Sequence, residues 1–259
     1  MSDHALPVAY AVFVWWFSTG VILYLDGLPR RTFPLSMLGA TALLGVAAYG
    51  LVTSATDASV AGAYTAFTSA LAIWGWHEMA FLMGFVTGPR RSALPDGCTG
   101  RRRFVLASQV VIHHELAIAA TVVLVVALTW GAPNQLGAWT FVALWLLRLS
   151  AKLNLFLGVS NTAEAMLPEH LRYLGSYFGR RPMNPLFPVS AAASTVAAVA
   201  LLAEAATAGP TEPAASGAVG LTLLGTLVAL GALEHGFFVL PFPADALWAR
   251  WARPVSTTR

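Results

Sequence analysis

One cysteine, Cys98, stands among 259 residues, so no disulfide closes within the chain and no cysteine-rich metal cage can form. Charge is scarce as well. Asp, Glu, Lys and Arg make up 10% of the residues, where soluble domains carry about 25%. With 57% hydrophobic residues and a mean hydropathy of +0.68, this composition excludes an ordinary soluble fold. The basic balance, 15 Lys and Arg against 12 Asp and Glu, reports topology in such a chain and does not imply nucleic-acid binding. The first apolar run lacks a basic leader and is too long for a signal peptide, which makes it a spanning helix.

Seven apolar stretches of roughly 20 residues follow one another, at about 7–25, 35–55, 59–86, 104–130, 136–159, 188–208 and 217–240. They predict an all-α, polytopic membrane protein of seven transmembrane helices forming a single domain over 1–259. A cytoplasmic amphipathic segment is expected at about 160–187 and a short tail at 241–259. The loops after the first, third and fifth stretches hold Arg30, Arg31, Arg90, Arg91, Arg101, Arg102, Arg103, Arg172, Arg180 and Arg181, and the C-terminal tail holds Arg250, Arg253 and Arg259. The opposite loops hold no Lys or Arg. The positive-inside rule then places the N-terminus outside and the C-terminus in the cytoplasm. Arg148 and Lys152 lie in the fifth stretch near the basic face, where long side chains snorkel or, for Lys152, pair with a carboxylate.

Histidine beside glutamate recurs in this apolar chain: His77-Glu78, His113-His114-Glu115, Glu169-His170 and Glu234-His235. Ionisable groups at membrane depth are costly and mark functional sites by default. His77 and His113 each fall about nine residues, roughly 13 Å, from the basic face, and the other two pairs lie near that face too. Imidazole with carboxylate suits iron, manganese or zinc. The expected site is therefore a metal centre, iron or another transition metal, built from His77, His113, His114, Glu115, His170 and His235. Glu78, Glu164 and Glu234 supply further ligands or outer support, and Asn154, Asn161 and Lys152 polar lining. The pairs are adjacent residues, about 100° apart on a helix, so both members of a pair do not face one point equally. The exact Glu-x-x-His repeat of di-iron bundles is absent. Two other readings fit these residues. A membrane histidine ligates haem or bacteriochlorophyll, and His–Glu pairs also serve as interhelical hydrogen bonds that fix packing. Asn161-Thr162-Ala163-Glu164 equally reads as a capping box.

The segment Glu169-His170-Leu171-Arg172-Tyr173-Leu174, continuing through Ser176-Tyr177-Phe178 and Arg180-Arg181-Pro182-Met183-Asn184-Pro185-Leu186-Phe187-Pro188, is the most distinctive part of the chain. Together with Trp76-His77-Glu78, Thr87-Gly88-Pro89-Arg90-Arg91 and His114-Glu115, it resembles the PuhE family, over nearly the whole chain to about Pro243. That family is associated with photosynthetic complex assembly in anoxygenic phototrophic bacteria. The resemblance implies a multi-pass protein of the bacterial inner membrane, cytoplasmic or intracytoplasmic. Its expected partners are membrane lipid, reaction-centre or light-harvesting subunits and bacteriochlorophyll. The resemblance carries a pathway and no residue roles. An assembly or pigment-supply factor, a di-metal oxidoreductase acting on a tetrapyrrole or isoprenoid lipid, and a pigment carrier are all consistent with the residues.

Overall fold

The computed structural model of the chain describes residues 4–162, 164, 167–208 and 214–240. These residues fold into seven long helices: α1 (Ala5–Asp26), α2 (Phe33–Ala55), α3 (Val60–Leu82), α4 (Gly100–Thr129), α5 (Leu136–Leu157), α6 (Leu186–Thr207) and α7 (Ala214–Gly236). Short 3-10 helices cover Arg30–Thr32 and Glu169–Tyr177. The described residues contain no strand, only an isolated bridge between Val159 and Arg180. The expected tail at 241–259 lies outside the described residues.

Six of these helices are long and apolar enough to cross a membrane; α3 is the exception. It is as long as the others, but its Ser, Thr, Gly and Trp residues and the His77-Glu78 pair dilute its hydropathy. The packing explains why this is tolerated. Helix α3 is surrounded by α1, α2, α4, α5 and α7, and it buries residues along its whole length, from Gly62 to Phe81. A helix that contacts protein on all sides need not be as apolar as one facing lipid. Helices α1, α2, α4 and α6 instead leave large apolar side chains outside, among them Leu6, Phe13, Leu35, Val46, Val123 and Val196. So much exposed apolar surface needs a hydrocarbon environment.

Two helix ends differ from the sequence expectation. Helix α3 stops at Leu82, four residues short of 86, because Gly84 takes a left-handed φ of +80° and the amides of Phe85 and Val86 both turn back to the Ala80 carbonyl. Helix α4 begins at Gly100, so Arg101, Arg102 and Arg103 form its first turn and extend the helix beyond its apolar run. On the opposite end, Ser59 caps α3 by accepting from the Gly62 amide at 3.1 Å. The Asn134 side chain binds the α2–α3 turn to the start of α5, donating to the carbonyls of Ser54 and Asp57 and accepting from the Leu136 amide.

The segment between α5 and α6 docks back onto the bundle. Its 3-10 helix buries Leu171, Leu174 and Tyr177, a spacing of three that matches the 3-10 period. These side chains pack on Phe81 of α3 and Val110 of α4. Asn184 ties the return to α6 down: its amide donates to the Asn154 carbonyl and side chain and to the Gly158 carbonyl, and its Oδ1 accepts from the amides of Leu186 and Phe187. It is fully buried. Replacing Asn184 by Ala removes both the helix cap and the tie to α5, and is expected to lower stability by about 2 kcal/mol, measured by chemical unfolding in mixed micelles.

Candidate functional site

The charged side chains of the membrane interior converge on α5. Arg148 and Lys152, four residues apart, project from one face of that helix. The Arg148 guanidinium donates to Glu78 Oε2 of α3 at 2.9 Å. Lys152 forms an ion pair with Glu115 of α4. Glu234 of α7 accepts from the Trp15 indole of α1 at 3.0 Å and lies within electrostatic reach of Arg148. His114 of α4 completes the group, its Nε2 at 3.9 Å from Glu78 Oε1 and its ring 4.6 Å from that of Phe81. Five helices thus contribute to one polar centre.

This centre is open. The Arg148 side chain is 39% accessible although it is paired with one carboxylate and approached by two others, and Glu234 is exposed too. Charged groups where five helices meet, yet partly reachable, imply a crevice beside them. At its closed side His114 has no accessible surface. Neither of its ring nitrogens has a hydrogen-bond partner, and Glu78 Oε1 has none either. Asp26, buried at the end of α1, lies within electrostatic reach of Glu78 and leaves both carboxyl oxygens without a hydrogen bond. Glu78, Glu115 and Glu234 face Arg148 and Lys152, so carboxylates outnumber cations even before Asp26 is counted. Buried polar groups are normally satisfied, and an excess of negative charge at this depth calls for a proton or a cationic ligand.

The other residues expected at the site lie elsewhere. His77 is buried between α3 and α4 with its Nε2 at 3.0 Å from the Thr121 hydroxyl and its ring edge-on to Trp76. His235 is satisfied on both sides: Nδ1 donates to the Gly231 carbonyl at 2.8 Å, which leaves Nε2 to accept from the Ser150 hydroxyl at 2.9 Å. His170 donates from Nε2 to the Leu82 carbonyl at 2.8 Å and packs its ring at a tilt against Phe33, latching the 3-10 segment to the end of α3. Its partial burial holds its pKa below the usual histidine value. His113 faces outward. Glu164 pairs with Arg180 within the segment between α5 and α6. Asn161 donates its backbone amide to the Phe238 carbonyl, and Asn154 bridges α5 to Ser190 of α6. Among the described residues no three His, Cys, Asp or Glu side chains are arranged to hold a metal ion. Glu78 and His114 come nearest, as a pair of donors.

The organising cation, Arg148, and the carboxylate Asp26 were not anticipated as site residues. The signal for Arg148 was present, in that three intramembrane glutamates need a counter-charge and an arginine four residues before Lys152 offers one. Asp26 gave no such signal, since it sits in the turn-forming sequence Asp26-Gly27-Leu28-Pro29.

The chain is 40% identical, over 258 residues, to an uncharacterized 30.4 kDa protein of the puhA 5′ region in Rhodobacter capsulatus, covering 98% of this chain and 92% of that one. No solved structure matches it. The family model described as "Protein of unknown function (DUF3623)" matches residues 1–259, and the chain belongs to that family.

Proposed function

We propose that this protein is a factor for assembly of the photosynthetic reaction centre or light-harvesting complex, or for bacteriochlorophyll supply. In this reading it crosses the bacterial inner membrane seven times, with the N-terminus outside and the C-terminus in the cytoplasm, α3 being the shielded central span. The location of the Rhodobacter relative beside puhA and the resemblance to the PuhE family support the pathway. The one-sided distribution of arginine supports the topology.

The working centre in this reading is the crevice at Glu78, His114 and Arg148. The observation that carries it is the excess of carboxylate beside an imidazole with two unpartnered nitrogens. In such a centre the Glu78 carboxylate, held on one oxygen by Arg148, and the two ring nitrogens of His114 are left to meet a polar or cationic group that enters the crevice.

The test is a deletion strain complemented with wild type, Glu78→Gln, His114→Ala and His235→Ala. Near-infrared absorption of the membranes measures the assembled pigment complexes. Glu78→Gln and His114→Ala are expected to leave the level of the deletion strain, with His235→Ala close to wild type at equal protein abundance. Wild-type levels from both centre variants would overturn the crevice as the working centre. Elemental analysis and an absorption spectrum of the purified protein form the second arm. A stoichiometric transition metal lost in His114→Ala would make the centre a metal site with Glu78 and His114 as two of its donors. A tetrapyrrole band would make the protein a pigment carrier.

A further inference from the structure

A second polar feature lies at the rim of the bundle, outside the crevice. The loop Thr87–Arg90 runs along α4 and is stitched to it: the His114 amide donates to the Thr87 carbonyl at 2.9 Å, and the Arg90 amide to the Gln109 carbonyl at 3.2 Å. Beside this seam opens a notch of about 360 Å³ lined by Pro89, Arg90, Arg91, Ser92 and Gln109. No lining residue is acidic. Arg90 is held in place, its Nε donating to the Tyr177 hydroxyl at 2.6 Å and its Nη2 to the Ala93 carbonyl at 2.8 Å. The side chains of Arg91, Ser92 and Gln109 make no hydrogen bond or ion pair among the described residues, which leaves their donors available to a ligand in the notch they line.

The surface on the membrane side of this notch is apolar and exposed. Along α4 the outward positions after Gln109 are His113, Leu116, Ala120 and Val123, successive turns of one face. His113, the histidine that faces out of the bundle, therefore stands one turn inside the notch, with no protein partner among the described residues. A cationic pocket directly above an apolar helix face matches one molecule: an anionic head on acyl chains. We infer that the notch binds the headgroup phosphate of an anionic phospholipid, with Arg91 and Gln109 as donors to the phosphate. Its chains lie along α4, and His113 is a donor at the level of the ester carbonyls. The inference rests on the bundle being membrane-embedded and is independent of the proposed working centre.

The test is isothermal titration of the full-length protein in neutral detergent with short-chain phosphatidylglycerol, phosphatidylcholine and inorganic phosphate. Phosphatidylglycerol is expected to bind most tightly. Arg91→Gln/Gln109→Leu should weaken it by about fivefold or more, the equivalent of about one arginine near an anionic surface. Arg101→Gln/Arg102→Gln, which removes more charge from exposed positions outside the notch, should leave it nearly unchanged. Equal losses in the two variants would mean diffuse attraction to basic surface, and would overturn a built site. Equal affinity for phosphatidylcholine would overturn the anionic specificity. Inorganic phosphate binding as tightly as the lipid would assign the notch to free phosphate and overturn the lipid. All of these substituted side chains are exposed or line the open notch, and unchanged far-ultraviolet circular dichroism checks that the fold is intact.

Discussion

Replacing Arg148 by methionine is expected to destabilise the bundle by about 3 kcal/mol, the lower end of the range for breaking a buried ion pair, because the arginine side chain as a whole is 39% accessible. The loss is the cost of Glu78 rather than of the arginine. Glu78 has an 11% accessible side chain and a second oxygen that makes no hydrogen bond, so without Arg148 its carboxylate stands in a confined site with no directly bonded cation, and with Asp26 and Glu234 within electrostatic reach. Methionine matches much of the aliphatic stem and none of the charge. The double variant Glu78→Gln/Arg148→Met removes both members of the pair and should recover most of the lost stability. Single-site effects of that size with a coupling of at least about 1 kcal/mol in unfolding measurements would show that the two charges act as a unit. Additive losses would show that Arg148 contributes by packing alone, and the account of the crevice as a coupled charge centre would fail.

The second large effect is expected at Gly88. A Cβ there would stand 2.6 Å from the Val110 carbonyl carbon and closer still to the Gln109 carbonyl oxygen, so Gly88→Ala drives the loop into the backbone of α4. Backbone cannot swing aside as a flexible side chain does. The cost should reach about 3 kcal/mol, the upper end for overpacking. The damage should spread, since the same loop holds the His114 amide through Thr87 and seats Arg90 against Gln109. Gly45→Ala makes the matching control. Nothing lies within 4 Å of a Cβ at that position of α2, and the substitution in an exposed helix should stabilise by about 0.5–1 kcal/mol. Chemical unfolding of the two variants in mixed micelles separates them by opposite signs. A Gly88→Ala protein as stable as wild type would mean that the loop does not lie on α4.

Much of the architecture was legible because a membrane span is written in local composition. All seven helices fall on the apolar runs, six of them apolar enough to cross a membrane, and Gly27, Thr56, Pro133 and Gly158 fall at or near the breaks between them. Helix ends were less legible, since Gly84 stops α3 inside an apolar stretch and the charged Arg101–Arg103 turn is helical despite its polarity. At the site, the sequence pointed to Glu78, His114, Glu115, Lys152 and Glu234, which do come together. It pointed equally to His113, His170 and His235, which do not. Adjacent residues on a helix differ by about 100° in direction, and nothing local to His113-His114 says which of the two turns inward. The structure answers by burying His114 and leaving His113 outside.

By itself, then, the sequence determined that this is an all-helical membrane-type chain, which stretches are apolar enough for membrane helices, and which loops carry arginine, because hydropathy and charge act over a single helix and need no partner to be read. Only the tertiary structure decided that α3, the one long helix not apolar enough to cross a membrane by composition alone, is the hub. It also decided that Arg148 sits beside the glutamates, and that His77, His170 and His235 make hydrogen bonds between elements. Those outcomes depend on how helices distant in sequence rotate and pack against one another, and a helix's rotation about its axis is set by its neighbours.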